Sequence, residues 1–309
     1  MFHPGRLCIP FGLACNFSCR YCYRDICRRQ IPNKPTADFL EYVQGLPIET
    51  YAIVASGGEP LLQLNTIKEV FGCSPKHLHR KIMTNGSLLT SDIVRYVNAN
   101  DIEVHLSHDG ECTQYLRGFD ILEDNELLRL VRKINNLRIV SVITNKNPDV
   151  MKVYRYLKRK LKRQFYFEPF IIDPTGLNGD LVVGFDYDTY QRSLLEYLAS
   201  KDNVPAEWYQ YRKPTGLGFN YLLDGSVVGI RTLNKYGTVW NDLDTLKRNF
   251  YSIEKPNLAY CDSNTACRIK NVCHLCKADS GEHLCKAEKI RQDCSNFLNF
   301  GGISEYVRA

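Results

Sequence analysis

Long apolar runs are missing from this chain: none approaches the roughly 20 residues that a membrane-spanning helix needs, so no membrane association is expected. Also missing at the start is a charged-then-apolar segment, which excludes a secretory signal. Between residues 28 and 260 cysteine is scarce, with Cys73 and Cys112 alone. The other eleven form two groups, five in the first 27 residues and six from Cys261 to Cys294. An odd total of 13, so clustered and without a secretion signal, argues against a disulfide framework and for a reducing cytoplasm, where grouped thiols bind metal. Strong charge is missing too. A net +6 falls short of a dedicated nucleic-acid binder and only favours an acidic partner. At 309 residues the chain can bury a large core, as one big domain or one plus an appendage.

What is present is organised around Cys15-Asn16-Phe17-Ser18-Cys19-Arg20-Tyr21-Cys22, which follows a short apolar strand at Leu7–Pro10. Three thiols in eight residues form a metal site. Structural zinc takes four protein ligands, and no fourth stands at the right spacing, so an iron–sulfur cube with one open iron suits the loop better than a zinc knuckle or a disulfide pair. Cys27 would close the open iron and is read as a bystander. With an aromatic residue just before its last cysteine, the run resembles the cluster loop of the radical S-adenosylmethionine (SAM) superfamily. The resemblance implies that the open iron chelates the methionine amino and carboxylate groups, and that an electron from the cluster breaks the sulfonium C–S bond to give a 5′-deoxyadenosyl radical.

Residues 1 to about 200 alternate strand-like and helical patterns. Runs rich in β-branched or aromatic residues stand at Leu7–Pro10, Tyr51–Ala55, Lys81–Thr84, Ile102–Ser107, Ile139–Thr144 and Phe165–Ile172. Helices are expected from Thr36, over Leu61–Phe71 with Gly72 as its stop, and over Asp92–Asn98, Asp124–Ile134, Val150–Leu161 and Tyr187–Ala199. Six βα units in succession predict an α/β fold with a parallel sheet curled into a partial (β/α)6 barrel. In the fourth strand Glu103, His105 and Ser107 alternate with Ile102, Val104 and Leu106, giving a polar inner face and hence a lumen that holds a ligand. His105 alone reads as a satisfied buried histidine.

In such folds ligands bind at the carboxyl ends of the strands. After the second strand comes Gly57-Gly58-Glu59-Pro60. Its glycines permit close backbone approach, Glu59 can accept bonds from an ammonium, and Pro60 suits a first helical turn. Falling at the second strand end after the cysteine loop at the first, this quartet resembles the superfamily motif that binds the methionine amino group. The resemblance also implies contacts to ribose and methionine from Asn85 and Ser107, with Asp109 a weaker candidate, to the methionine carboxylate from Arg117, and to adenine from Tyr21. Asn85-Gly86 and Asp109-Gly110 have an ordinary turn as their plain alternative. Glu168, at the sixth strand end, is a candidate proton donor or acceptor, with a structural ion pair as the alternative.

The segment Met151–Gln164 carries seven Lys and Arg and no acid. Val150, Val153, Leu157 and Leu161 make its apolar stripe, so the charges lie on the outer face, either merely solvated or docking an acidic protein, a leader peptide or RNA. Past residue 200 the alternation stops, and Phe219–Leu223 with Val227–Arg231 reads as a hairpin around Asp224-Gly225. Cys261, Cys267, Cys273, Cys276, Cys285 and Cys294 follow in a stretch that must draw its stability from metal. This arrangement resembles the SPASM or twitch extension of peptide- and protein-modifying radical SAM enzymes, including a glycine-bearing strand at Tyr236–Val239. It departs from the pattern at Gly229, Ile230 and Arg231, where a cysteine is usual. The resemblance therefore implies one auxiliary 4Fe-4S cluster on Cys267, Cys273 and Cys276, with a fourth ligand from Cys261, Cys285 or Cys294.

The domain expectation is a radical SAM partial barrel over 1–204 and a small cysteine-rich auxiliary-cluster unit over 205–309. The functional expectation is reductive cleavage of S-adenosyl-L-methionine at a 4Fe-4S cluster on Cys15, Cys19 and Cys22, then hydrogen abstraction from a peptide or protein. Crosslinking, epimerisation or oxidation is the outcome, as in maturation of ribosomally made peptides. A flavodoxin- or ferredoxin-type electron donor is implied. With the first strand starting at about residue 7, no winged-helix leader-binding domain precedes it, so a separate leader-binding protein is a candidate partner. The alternatives are an RNA-modifying radical SAM enzyme and a non-catalytic iron–sulfur or zinc protein that binds nucleic acid.

Overall fold

The computed structural model describes residues 4–22, 30–172, 179–200, 219–229 and 233–254. Six parallel strands in sequential order form one sheet: β1 (Arg6–Pro10), β2 (Ala52–Ser56), β3 (His79–Thr84), β4 (Glu103–Ser107), β5 (Leu137–Ile143) and β6 (Tyr166–Ile171). The helices between them are α1 (Ala37–Gln44), α2 (Leu64–Cys73), α3 (Ser91–Ala99), α4 (Thr113–Arg117), α5 (Asn125–Val131) and α6 (Val150–Leu161), and α7 (Tyr187–Ser200) follows β6. This is the expected partial (β/α)6 arrangement, with each expected strand within two residues of its place.

Local chemistry explains the helix starts. Thr36 accepts from the Phe39 N–H, Thr90 from Ile93, Asp124 from Glu126 and Leu127, and Asp149 from Lys152, each satisfying amides that the first turn leaves unpaired. One expected stop differs. α2 runs through Gly72 to Cys73 and ends at Ser74, whose hydroxyl donates to the Phe71 carbonyl ahead of Pro75. The chain N-terminal to α2 starts at Pro60 as a 3₁₀ turn, Pro60–Gln63. Short α4 was not anticipated; five residues are too few for periodicity to show.

The outer faces of the strands pack on the helices in one continuous apolar core containing Leu7, Ile9, Ile53, Ile82, Val104, Leu106, Ile139 and Phe167. The inner faces are more polar. β7 (Phe219–Tyr221), β8 (Ser226–Gly229) and β9 (Lys235–Thr238) form a separate antiparallel sheet, turning at Asp224-Gly225 as expected. Asp224 accepts from the Ser226 N–H, and Gly225 takes φ +79°. A further unanticipated helix, α8 (Leu243–Glu254), packs beside β9.

Most of this second unit's apolar side chains join the barrel's core, while Leu222, Val228 and Leu233 form a small cluster of their own against Leu13 and Ile31. Phe219, Tyr221, Leu223, Val227, Tyr236, Val239 and Leu246 join the barrel's own cluster, Thr36 N donates to the Leu223 carbonyl at 2.8 Å, and Trp240 meets Tyr42 edge-on. The boundary expected between residues 204 and 205 lies outside the described residues, as do Cys27, Ile230, Arg231 and all six cysteines from Cys261 to Cys294.

Candidate active site

The cysteine loop leaves β1 and crosses the carboxyl ends of β2, β3 and β4. None of Cys15, Cys19 and Cys22 is in a disulfide, and all three are partly exposed. The first half of the loop is stitched to the next two strand ends. Gly58 N donates to the Gly12 carbonyl at 2.9 Å and Glu59 N to the Ala14 carbonyl at 2.8 Å. Asn16 donates to Ser87 Oγ at 2.7 Å and accepts from Asn85 Nδ2 at 3.0 Å. Cys15 Sγ lies 3.4 Å from the Phe17 amide and 3.8 Å from Asn85 Nδ2, two donors suited to a thiolate.

Only glycine fits beside this loop. A Cβ on Gly57, which takes φ +117°, would lie 2.3 Å from the Gly12 oxygen, and one on Gly58 would lie 2.1 Å from the Ala14 oxygen. Pro60 is buried at the start of the 3₁₀ turn. Glu59 is buried as well. Its Oε1 accepts from Thr84 Oγ1 at 2.7 Å and from the Leu61 N–H at 3.1 Å, and its Oε2 from the Asn85 N–H at 2.8 Å. Burial pushes its carboxyl above the usual range, against these hydrogen bonds. Among the described residues no cation pairs with it. A buried carboxylate lacking a counter-charge suits a cationic ligand such as an ammonium group.

The second half of the loop is held by α4, which the sequence did not reveal. Arg20 N donates to the Leu116 carbonyl at 2.8 Å, Arg20 Nε to the Tyr115 carbonyl at 3.0 Å, and the Arg20 guanidinium stacks 4.3 Å above the Tyr115 ring. Tyr21 donates its hydroxyl to Asp109 at 2.6 Å. Arg117 is buried and forked on that same carboxylate, Nε to Oδ2 at 2.7 Å and Nη2 to Oδ1 at 3.1 Å. Burial alone would lower the Arg117 pKa, but the charge on Asp109 raises it, so the guanidinium is permanently charged at the site. Burial raises the Cys19 thiol, with Arg117 opposing. Ser107 closes β4 in register with Val140. The structure therefore brings Tyr21, Gly57, Gly58, Glu59, Pro60, Asn85, Ser107 and Arg117 to one end of the barrel with the three cysteines.

The donor set fits a cubane better than a single ion. No three of the described His, Cys, Asp and Glu side chains converge tightly enough to hold one metal ion. In a cubane each thiolate binds its own iron, so the sulfurs stand farther apart than around a single ion.

Inside the barrel the polar face of β4 meets charges from its neighbours. Glu103 pairs with Lys81 at 2.9 Å and Arg138 at 2.5 Å, and His105 lies 3.2 Å from the same carboxylate. Burial would raise the Glu103 carboxyl, but His105, Arg138 and Lys81 hold it far below the usual range. Glu168 accepts from Arg138 at 3.3 Å, so the ion-pair alternative for Glu168 describes its position. Part of the basic run on α6 is paired with acids distant in sequence: Lys152 and Arg159 share Glu111 at 3.0 and 3.6 Å, Lys160 reaches Glu123 at 2.8 Å, and Arg155 meets Glu196. Arg163 caps the carbonyls of Arg132, Ile134 and Asn135. No described helix is long and apolar enough to cross a membrane.

Comparison with known proteins agrees with this geometry. Residues 9–145 match the family model of the Radical SAM superfamily. An uncharacterized protein of Methanocaldococcus jannaschii, MJ0907, is 28% identical over 157 residues, 46% of this chain and 54% of that protein. The match thus spans about half the length of this curated relative. Among solved structures, native anSMEcpe with bound AdoMet and a Cp18Cys peptide aligns with a TM-score of 0.68 at 18% identity, over 98% of this chain and 99% of that one. Streptococcus suis SuiB bound to S-adenosylmethionine aligns with a TM-score of 0.59 at 15% identity, over 88% and 72%. SuiB bound to its precursor peptide SuiA aligns with a TM-score of 0.54 at 14% identity, over 88% and 71%. At these identities the structural likeness establishes the fold. Barrel, cysteine loop and glycine pair accord with the match of residues 9–145 to the Radical SAM superfamily model.

Proposed function

We propose that this chain reductively cleaves S-adenosyl-L-methionine and abstracts a hydrogen atom from a peptide or protein substrate, in the maturation of a ribosomally made peptide or the oxidation of a protein side chain. Cys15, Cys19 and Cys22 would hold the 4Fe-4S cluster, and Glu59 the methionine ammonium. Asn85 and Ser107 would contact the ribose and methionine and Tyr21 the adenine, while Arg117, forked on Asp109 through Nε and Nη2, would offer the methionine carboxylate only its Nη1. Cluster and S-adenosyl-L-methionine together supply a 5′-deoxyadenosyl radical when bound. The chain's own contribution is positional: Gly57 and Gly58 let the β2 end press on the cluster loop, and buried Glu59 joins the β2 and β3 ends.

The observation that carries the reading is the close contact of Gly58 with the Leu13 and Ala14 carbonyls, which sets the Glu59 carboxylate beside the cysteine loop. A protein that merely bound nucleic acid through zinc or iron would gain nothing from it. A peptide substrate is supported by the likeness over nearly the whole chain to a structure solved with a peptide bound. The RNA alternative rested on the basic helix, and the pairing of Lys152, Arg155, Arg159 and Lys160 with acids weakens that support. One auxiliary cluster on Cys267, Cys273 and Cys276, completed by Cys261, Cys285 or Cys294, remains part of the proposal, as does an external flavodoxin- or ferredoxin-type donor. The test is incubation of reconstituted enzyme and S-adenosyl-L-methionine with site-deuterated peptide or with RNA. Deuterium appearing in 5′-deoxyadenosine from the peptide supports the proposal, and turnover that depends only on RNA refutes it.

A further inference from the structure

Tyr21 sits between two of the three cysteines, yet its hydroxyl points away from the loop into a buried ion pair. Asp109 is wholly buried, and four donors fill its two oxygens. Tyr21 Oη and Arg117 Nε reach Oδ2 at 2.6 and 2.7 Å, while Arg117 Nη2 and the Val142 N–H reach Oδ1 at 3.1 and 2.8 Å. The carboxylate is itself fixed, because Asp109 N donates to Thr113 Oγ1 at 2.9 Å and Val142 belongs to β5. The Arg117 guanidinium also lies 5.3 Å from the centre of the Tyr21 ring. A ring for packing against a nucleoside needs no hydroxyl, so the hydroxyl has a separate task.

We infer that Tyr21, Asp109 and Arg117 form a latch that fastens the Cys19–Cys22 half of the cluster loop to the ends of β4 and β5, making Tyr21 and Asp109 positioning residues for cluster retention. The first half of the loop is tied down through Asn16, Gly58 and Glu59. The second half has Arg20 on the α4 carbonyls and Tyr21 on Asp109. A hydrogen bond to a buried charge is strong and directional, which is what holding two cysteines in register with a third requires. This rests on the reading that the loop carries a cluster.

The experiment is release of iron from anaerobically reconstituted full-length protein to a chelator, followed by absorbance. Iron released from a variant with Cys15, Cys19 and Cys22 all changed to Ala is subtracted as iron held elsewhere. Tyr21→Phe keeps the ring and removes the latch, and it should release loop iron roughly tenfold faster, the effect of losing one charge-assisted hydrogen bond. Tyr51→Phe makes the same deletion on half-exposed Tyr51, just before β2 at the opposite end of the strand from the loop, and should match wild type. In an Asp109→Asn background, Tyr21→Phe should add almost nothing, since a latch acting through Asp109 is non-additive. Equal release from wild type, Tyr21→Phe and Tyr51→Phe overturns the latch, whether or not the Asp109 variant folds. Full additivity with Asp109→Asn overturns it too. Wild-type protein holding no more iron than the triple variant would instead refute the cluster itself.

Discussion

Replacing Gly58 by alanine adds one methyl group where the β2 end touches the cluster loop. The new Cβ would lie 2.1 Å from the Ala14 oxygen and 2.6 Å from the Leu13 oxygen, whereas real Cβ contacts essentially never fall below 3.0 Å. Both obstacles are backbone, so no side chain can swing aside. The loop must give by nearly an ångström at the residue preceding Cys15, and the bond from Glu59 N to the Ala14 carbonyl stretches with it. Overpacking of this kind costs about 1–3 kcal/mol of stability, which a chain with so large a core survives. Displacement of reacting groups by about 1 Å can cost on the order of a hundredfold in rate, so 5′-deoxyadenosine formation by Gly58→Ala should fall by about that factor. The matched control is Gly72→Ala in α2, where the Cβ meets nothing within 4 Å. It should gain up to about 1 kcal/mol from helix propensity and keep full activity. The assay is anaerobic reconstitution, iron determination and timed 5′-deoxyadenosine formation for all three proteins. Gly58→Ala with wild-type rates would refute the contact as the element that positions the loop.

Glu59→Gln should weaken S-adenosyl-L-methionine binding by roughly ten- to a hundredfold in calorimetry, since a charge-assisted bond is worth about 1.5–3 kcal/mol; unchanged affinity would reduce Glu59 to a brace between strand ends. Burial would raise the Asp120 carboxyl, but His108 at 2.8 Å, the Leu122 N–H and Tyr156 hold it below its ordinary 3.8. Its contribution to stability is therefore present above that value and is lost as pH falls through the depressed one, so the stability gap between wild type and Asp120→Asn should shrink as pH falls below 3.8. A gap that persists unchanged in acid would contradict this. Arg138→Met leaves Glu103 and Glu168 short of a cation in the lumen and should cost about 2 kcal/mol, less than a fully buried pair because both carboxylates keep some solvent contact. Urea unfolding at neutral pH measures it. Reconstituted protein should bind about eight irons as two cubanes, and a count near twelve would mean that a second auxiliary site exists.

The barrel was legible because its outer strand faces need continuous β-branched and aromatic residues, and Ile53, Val104 and Ile139 supply them where helices cover the sheet. The cysteine loop and Gly57-Gly58 were legible because metal ligation and close backbone approach each demand particular residues at short spacing. What the sequence hid was tertiary. Arg117 presents itself as free for a ligand carboxylate, and only the 3₁₀ turn at Gly110–Cys112 followed by α4 folds it back onto Asp109. Glu59 is bonded by donors about 25 residues later, at the end of β3. The basic run on α6 looked unopposed, yet Glu111, Glu123 and Glu196 arrive from other elements. Gly72 read as a stop because glycine is a poor helix former, but the proline two residues beyond the helix end decides.

The most direct test of the central claim is 5′-deoxyadenosine formation by anaerobically reconstituted protein given S-adenosyl-L-methionine and a strong reductant. Wild type should form it, and the variant with Cys15, Cys19 and Cys22 changed to Ala should form none while keeping any iron held by the C-terminal cysteines. Reductive cleavage that survives in the triple variant would contradict the account.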